Sequence, residues 1–321
     1  MHLVPLAVMT GIVAILPIAC LAGLAAFAAL LTLRANALVP PDGRFIDVGG
    51  VKLHYRDRGS GPAVVMVHGL GGNARNFEAL ANALADTHRV IMVDRPGCGH
   101  SSVSTGMHLP LRAQAAVIAG FIAALKLERP LLVGHSLGGA LSLALALEHP
   151  GCVRGLVLIS PLSQVMHSPP RIFRALHIRS THMRRLLAWT LMAPLGLRRR
   201  RAVLSAVFAP EPAPPDFDVV FGGLLGLRPA SFVYACADMT SAPDELAIVA
   251  PRYAEIALRT DIVVGRRDVI LDPILHSAGL ADRLPNAHLS LIDGGHMLPI
   301  TAAGPIAALI RDLSPLSRDA A

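Results

Sequence analysis

The sequence predicts an α/β protein: a mostly parallel sheet covered by helices on both faces. Three observations carry this reading. Short apolar runs alternate with longer helical stretches along most of the chain. Residues 63–67 are apolar at every position, as in a strand buried on both faces. Leu131-Leu132-Val133 runs directly into Gly134-His135-Ser136-Leu137-Gly138-Gly139, and a helical stretch at 140–148 follows. Such a turn must be sharp enough to lift the serine Oγ clear of the sheet, which strains the serine backbone and demands small neighbours. Gly134 and Gly138 supply them, and Gly139 lets the helix pack close to the strand. The plain alternative makes Ser136 an ordinary helix N-cap.

The chain begins with residues 3–33, which contain no charged residue. That exceeds the roughly 20 residues needed to cross a bilayer. A signal peptide has a basic start and an apolar region of about 7–15 residues; here no Lys or Arg precedes the run. Residues 1–35 are therefore read as an uncleaved single-pass membrane anchor. Ala35-Asn36-Ala37 resembles a cleavage site, and cleavage with an exported body is the alternative. Arg34, Arg44 and Lys52 follow the span, which places the body in the cytoplasm by the positive-inside tendency.

After the linker Val39-Pro40-Pro41-Asp42-Gly43, strands at 45–48 and 51–55 flank Gly49-Gly50 as a hairpin. Strand 63–67 leads into His68-Gly69-Leu70-Gly71-Gly72 and a helix over 74–85. Strand 89–93 ends in Asp94-Arg95-Pro96-Gly97, a helix covers 111–127, and a further strand covers 153–159. The alternation stops over 161–246, which is too long for a plain loop and reads as a helical insertion over the strand ends. It resumes with strand 261–264, a helix over 272–283, strand 288–292 and a last helix after His296. The expected division is thus an anchor at 1–35, a first core part at 36–160, a helical cap at 161–246 and a second core part at 247–321.

The charge is uneven. Nine arginines fall between 171 and 201 with no acid among them, and taking them from the formal +7 leaves −2 for the rest. Basic charge confined to one segment argues against a general nucleic-acid role. Those arginines form either a solvated face on cap helices or a contact with anionic lipid headgroups. Leu186, Leu187, Trp189, Leu191 and Met192 form either the apolar side of such a contact, leading to the pocket, or ordinary cap core. The four cysteines show no paired or metal-type spacing, so no metal or cofactor is expected.

Taken together, His68-Gly69-Leu70-Gly71-Gly72, Asp94-Arg95-Pro96-Gly97, the Gly134–Gly139 turn, Gly265-Arg266-Arg267-Asp268 and Gly294-Gly295-His296 resemble the α/β-hydrolase superfamily over about residues 45–313. The resemblance implies an α/β-hydrolase fold with a helical cap and a triad in the order serine, acid, histidine. A serine hydroxyl needs a base in hydrogen-bond reach and a third group to orient that base. Ser136 is then the nucleophile and His296 the base, with an unperturbed pKa near 6.5 that suits proton shuttling. Asp268 is the orienting acid. Asp272 is its rival, although it also suits helix capping. Some relatives carry the acid after an earlier strand, where this chain has Ser160. The backbone N–H groups of Leu70 and Leu137 are the implied oxyanion hole. His68 and His135 are expected to support the loops around the site, and Asp94 to tie loops together.

A serine nucleophile argues against the haloalkane-dehalogenase and epoxide-hydrolase branches, which use an aspartate at this place. The expected function is a membrane-anchored serine esterase acting on small or lipid-like esters. C–C, amide or perhydrolase chemistry on the same triad, or a non-catalytic receptor on this fold, are the alternatives. The sequence leaves the oligomeric state open.

Overall fold

The structure, a computed structural model, describes residues 6–104, 108–166 and 168–313. The strands are β1 (Arg44–Val48), β2 (Val51–Arg58), β3 (Ala63–Val67), β4 (Arg89–Val93), β5 (Ser102–Val103), β6 (Leu131–His135), β7 (Gly155–Ile159), β8 (Thr260–Gly265) and β9 (Ala287–Ile292). They form one sheet in the order β1-β2-β4-β3-β6-β7-β8-β9, with the two-residue β5 pairing β2. β2 runs antiparallel to β1, β4 and β5, while every pair from β4 to β9 is parallel. The sheet is therefore mostly parallel, as the apolar strands require.

The helices are α1 (Leu6–Leu38), α2 (Glu78–Leu84), α3 (Leu111–Ala124), α4 (Leu137–Glu148), α5 (Thr181–Trp189), α6 (Met192–Phe208), α7 (Pro229–Val249), α8 (Gly279–Ala281), α9 (Leu298–Thr301) and α10 (Ala303–Asp312). Alternate residues of β3 serve opposite faces, as the period of two dictates. Val65 and Val67 pack on the α3 and α4 side, and Val64 and Met66 on the α2 and α10 side. α5, α6 and α7 lie between β7 and β8, where the alternation stopped.

Two expectations are corrected. The helix after the serine turn starts at Leu137, not at 140, because Gly138 is itself helical against the end of β3. The expected strand at 153–159 is ordered as β7 only from Gly155. The expected helix at 272–283 is present over 273–281, with a π-helical turn at Ile274–Ala278 that runs into α8.

α1 is 33 residues long, roughly 50 Å at 1.5 Å per residue. That is longer than the roughly 30 Å hydrocarbon thickness of a bilayer. Residues Leu16–Leu38 are mostly exposed and hold an 18-residue window of mean hydropathy 2.3, so this helix is long and apolar enough to cross a membrane. Its C-terminal part is different. Ala28 and Ala35, seven residues apart on one face, are buried together with Val39. This part of α1 packs against α5, α6 and the short helical segment Gly223–Leu227. Arg228 donates to the Asn36 side chain at 3.0 Å, and Arg75 donates to the Pro40 carbonyl at 3.0 Å. The apolar helix is thus fastened to the insertion and to the sheet's loops.

Candidate active site

Ser136 sits at the turn between β6 and α4 with φ 54° and ψ −118°. A positive φ is costly for a residue with a Cβ and persists only where packing over-determines it. The packing is on view in the neighbouring glycines. A Cβ on Gly138 would stand 2.1 Å from the Val67 carbonyl oxygen, and one on Gly134 would stand 2.4 Å from Ser142 Oγ. Gly139 faces Pro161, with 2.7 Å for a Cβ. Ser136 holds the N-cap position of α4, but its side chain makes no capping hydrogen bond to the helix.

The loop after β3 closes on this turn. A Cβ on Gly69 would lie 2.9 Å from Ser136 Cβ, which brings His68-Gly69-Leu70 alongside the serine. The Leu70 N–H has no protein acceptor among the described residues. Leu137 is the first residue of α4, where an amide has no intrahelical partner. Leu70, Ser136, Leu137 and His296 all line one cavity of about 860 Å3.

Asp268 and His296 come together from the loops after β8 and β9. His296 Nδ1 and Asp268 Oδ2 are 2.8 Å apart, and both residues are buried. Asp268 Oδ1 accepts from the Ile270 and Leu271 amides at 2.9 and 3.0 Å. Burial alone would push the Asp268 carboxyl upward; the His296 hydrogen bond and charge and the two amides outweigh it and hold the group below its ordinary range. Asp272 does not reach this pair. It accepts from the Ile274 and Leu275 amides and caps the next turn. Ser160, at the earlier acid position, has φ 42° and a buried hydroxyl without a partner among the described residues.

The other two histidines are bracing groups. His68 Nε2 accepts from the Arg95 amide at 3.0 Å, so its proton sits on Nδ1, toward the Gly69 carbonyl. Burial, with the Arg95 charge adding to it, pushes His68 down to about 4. His135 donates from Nε2 to the His296 carbonyl at 3.0 Å, and burial with the His296 charge pushes it down to about 3. Asp94 ties loops, as expected: it accepts from the Ala74 and His100 amides and pairs with His54.

Four further residues shape the site, and only Arg95 lies in one of the motifs quoted above. Arg95 is wholly buried and donates to the His68 and Gly69 carbonyls at 3.0 and 3.1 Å. Asp238, from α7, meets it at 2.9 Å. Asn76 donates to the Phe221 carbonyl at 2.9 Å and joins the loop to the insertion. Glu211 accepts from the Gly295 amide at 3.0 Å, next to His296. The only advance signal for Asp238 is an isolated carboxylate in the apolar stretch Tyr234-Ala235-Cys236-Ala237.

Residues 62–303 match the family model described as the alpha/beta hydrolase fold, and the chain belongs to that family. It is 40% identical over 120 residues to a 2-hydroxy-6-oxo-2,4-heptadienoate hydrolase of Pseudomonas putida, covering 36% of this chain and 44% of the relative. It is 32% identical over 184 residues to haloalkane dehalogenase 2 of Mycobacterium bovis, covering 54% of this chain and 61% of the relative. The alignments thus span less than two thirds of these relatives' own length. A solved alpha/beta hydrolase fold protein from Burkholderia ambifaria superimposes with a TM-score of 0.72 at 23% identity, over 84% of this chain and 97% of that one. The protein has the alpha/beta hydrolase fold.

Proposed function

We propose that this chain is a membrane-anchored serine hydrolase that cleaves carboxylic esters through an acyl-enzyme. The observation that carries the reading is the 2.8 Å contact of Asp268 with Nδ1 of His296, which lines the same cavity as Ser136. With Nδ1–H donated as a hydrogen bond to the Asp268 carboxylate, Nε2 is free to take the Ser136 proton. Ser136 Oγ attacks the ester carbonyl carbon. The negative charge that develops on the carbonyl oxygen is met by the Leu70 and Leu137 amides, and one such donor is worth about 2.7–4 kcal/mol. The alcohol leaves with the proton from His296. Water, deprotonated by the same imidazole, then releases the acid. Asp268 stays ionised throughout, as its lowered pKa suits.

The apolar, exposed length of α1 supports the anchor. Ser136 stands where the haloalkane-dehalogenase branch needs an aspartate, which favours acyl transfer over halide displacement. Ser136→Ala should abolish labelling by a fluorophosphonate probe and hydrolysis of p-nitrophenyl esters of graded chain length, with the fold retained. Labelling that persists on the variant refutes the assignment. The 40% identity to the P. putida hydrolase favours one second reading, carbon–carbon cleavage. Turnover of 2-hydroxy-6-oxo-2,4-heptadienoate well above that of the p-nitrophenyl esters would establish it instead.

A further inference from the structure

We propose that the cavity above Ser136 takes an acyl ester whose alcohol half carries an anion, with the acyl chain among the apolar helices and the phosphate or carboxylate held by Arg171, Arg174, Arg179 and Arg199 at the mouth. This rests on the serine hydrolase reading above. The volume, about 860 Å3, lies in the upper part of the range for sites that enclose a small ligand. Its wall between α5, α6 and α7 is apolar, with Met192, Val203, Leu204 and Phe232 among the residues that form it.

The polar part of the lining is one-sided. Arg171, Arg174, Arg179 and Arg199 line the cavity and are also exposed, which puts them at its rim. No ion pair joins any of the four to a described residue. Arg200, beside them, is already paired with Asp218. Asp238 is the one carboxylate in the lining among the described residues, and it is occupied by Arg95 and His108. Four uncompensated guanidinium groups at one opening repel each other and focus a positive potential into it. A bound anion relieves that repulsion, and the planar fork of arginine fits phosphate or carboxylate oxygens two at a time. A purely apolar ester would use only the inner wall. α6, which carries Arg199, also packs against α1, so the mouth lies beside the apolar helix.

Cleavage balances simply. The bond from Ser136 Oγ to the acyl carbon forms, and the bond from that carbon to the ester oxygen breaks. The alcohol takes its proton from His296 and departs by the mouth with its anion, and water releases the fatty acid.

The test uses full-length protein in neutral detergent micelles. The kcat/KM for 1-dodecanoylglycerol 3-phosphate should exceed that for 1-dodecanoylglycerol at least ten-fold. Combined Arg171→Gln, Arg174→Gln and Arg199→Gln should bring the ratio close to one, with the thermal midpoint read as the check on folding. Arg198→Gln with Arg201→Gln, on the same helix but outside the lining, should keep it. Dodecyl phosphate should inhibit the native protein at least ten times more strongly than dodecanol, and inorganic phosphate should not inhibit at all, which separates an amphiphile from a free anion. A native ratio of one or below overturns the proposal. So does equal inhibition by dodecyl phosphate and dodecanol, an arm that stands even if the triple variant does not fold. Equal loss in the Arg198 and Arg201 variant also overturns it, by making the effect one of bulk charge. If Ser136 is not labelled by fluorophosphonate and neither ester turns over, the hydrolase reading falls as well; if Ser136 is labelled and only the preference is missing, this proposal alone falls.

Discussion

Asp238 of α7 meets Arg95 at 2.9 Å with both side chains buried, and Arg95 in turn grips the carbonyls of His68 and Gly69. A helix of the insertion therefore holds the loop that carries the Leu70 amide. Against the cost of burial, Arg95 and His108 draw the Asp238 carboxyl down to about 2, so it remains charged. Asp238→Ala leaves the Arg95 charge buried without its partner, which costs about 3–5 kcal/mol in such pairs. Chemical denaturation of the variant should show that loss, and fluorophosphonate labelling should slow. A loss below about 1 kcal/mol would mean that the pair does not organise the site.

Two aspartates four residues apart should separate cleanly. Asp268 orients His296, whereas Asp272 only caps a turn. Asp268→Asn should lower kcat by around 10⁴, the size of effect seen when an orienting acid is lost. Asp272→Asn should stay within a few-fold of the native rate. Steady-state kinetics on a p-nitrophenyl ester checks the ranking, and the reverse order would mean that the wrong acid has been chosen.

Acid should destabilise the fold through its buried histidines. His135 and His68 are pushed down to about 3 and about 4, while both protonate near 6.5 once unfolded. The folded state thus binds fewer protons. The stability they contribute is fully present above about pH 6.5 and is lost as pH falls toward their folded values. His135→Gln should remove up to about 1.4 kcal/mol per pH unit from the slope of unfolding free energy between roughly pH 6 and 4. Denaturant titrations at several pH values read that slope; an unchanged slope refutes the neutral, buried assignment.

Substituting two glycines should give opposite results. Gly138→Ala drives a methyl group against the Val67 carbonyl, where rigid strand and rigid helix meet. It should lower the thermal midpoint and abolish labelling. Gly23→Ala adds a methyl group to open space on α1 and should change neither.

The apolar helix has its own test. Full-length protein should pellet with membranes and resist high salt and carbonate, since a buried apolar span does not depend on screened charge. A chain starting near Pro40 should leave the membrane pellet. Full-length protein recovered soluble, with its N-terminus near Leu38, would replace the anchor by a cleaved signal.

Much of this protein was legible along the chain. Strand order in sequence, the glycine-flanked serine and the two glycine-flanked loops that end in Asp268 and His296 are local patterns. They are local because each answers a local demand: apolar strands need two covered faces, and a sharp turn needs small neighbours. The helix expected over 272–283 is present over 273–281 and is widened only at its π-helical turn. Asp272 accepts from the Ile274 and Leu275 amides and so caps its start, again a local demand.

The sequence by itself thus determined the sheet, its helical cover, the apolar N-terminal helix and the candidate residues. Only the tertiary structure decided what those residues touch. Asp268 rather than Asp272 meets His296, 28 positions on, because the loops after β8 and β9 lie side by side, a consequence of the parallel pairing of those strands. Asp238 reaches Arg95 across 143 positions, Arg184 turns inward to the Ile178 carbonyl, and four other arginines gather at one mouth. Leu186, Trp189 and Leu191 stay exposed while Met192 lines the cavity. Helical spacing fixes which side chains share a face, but the packing of α1, α5, α6 and α7 against one another decides which face meets the cavity and which meets solvent.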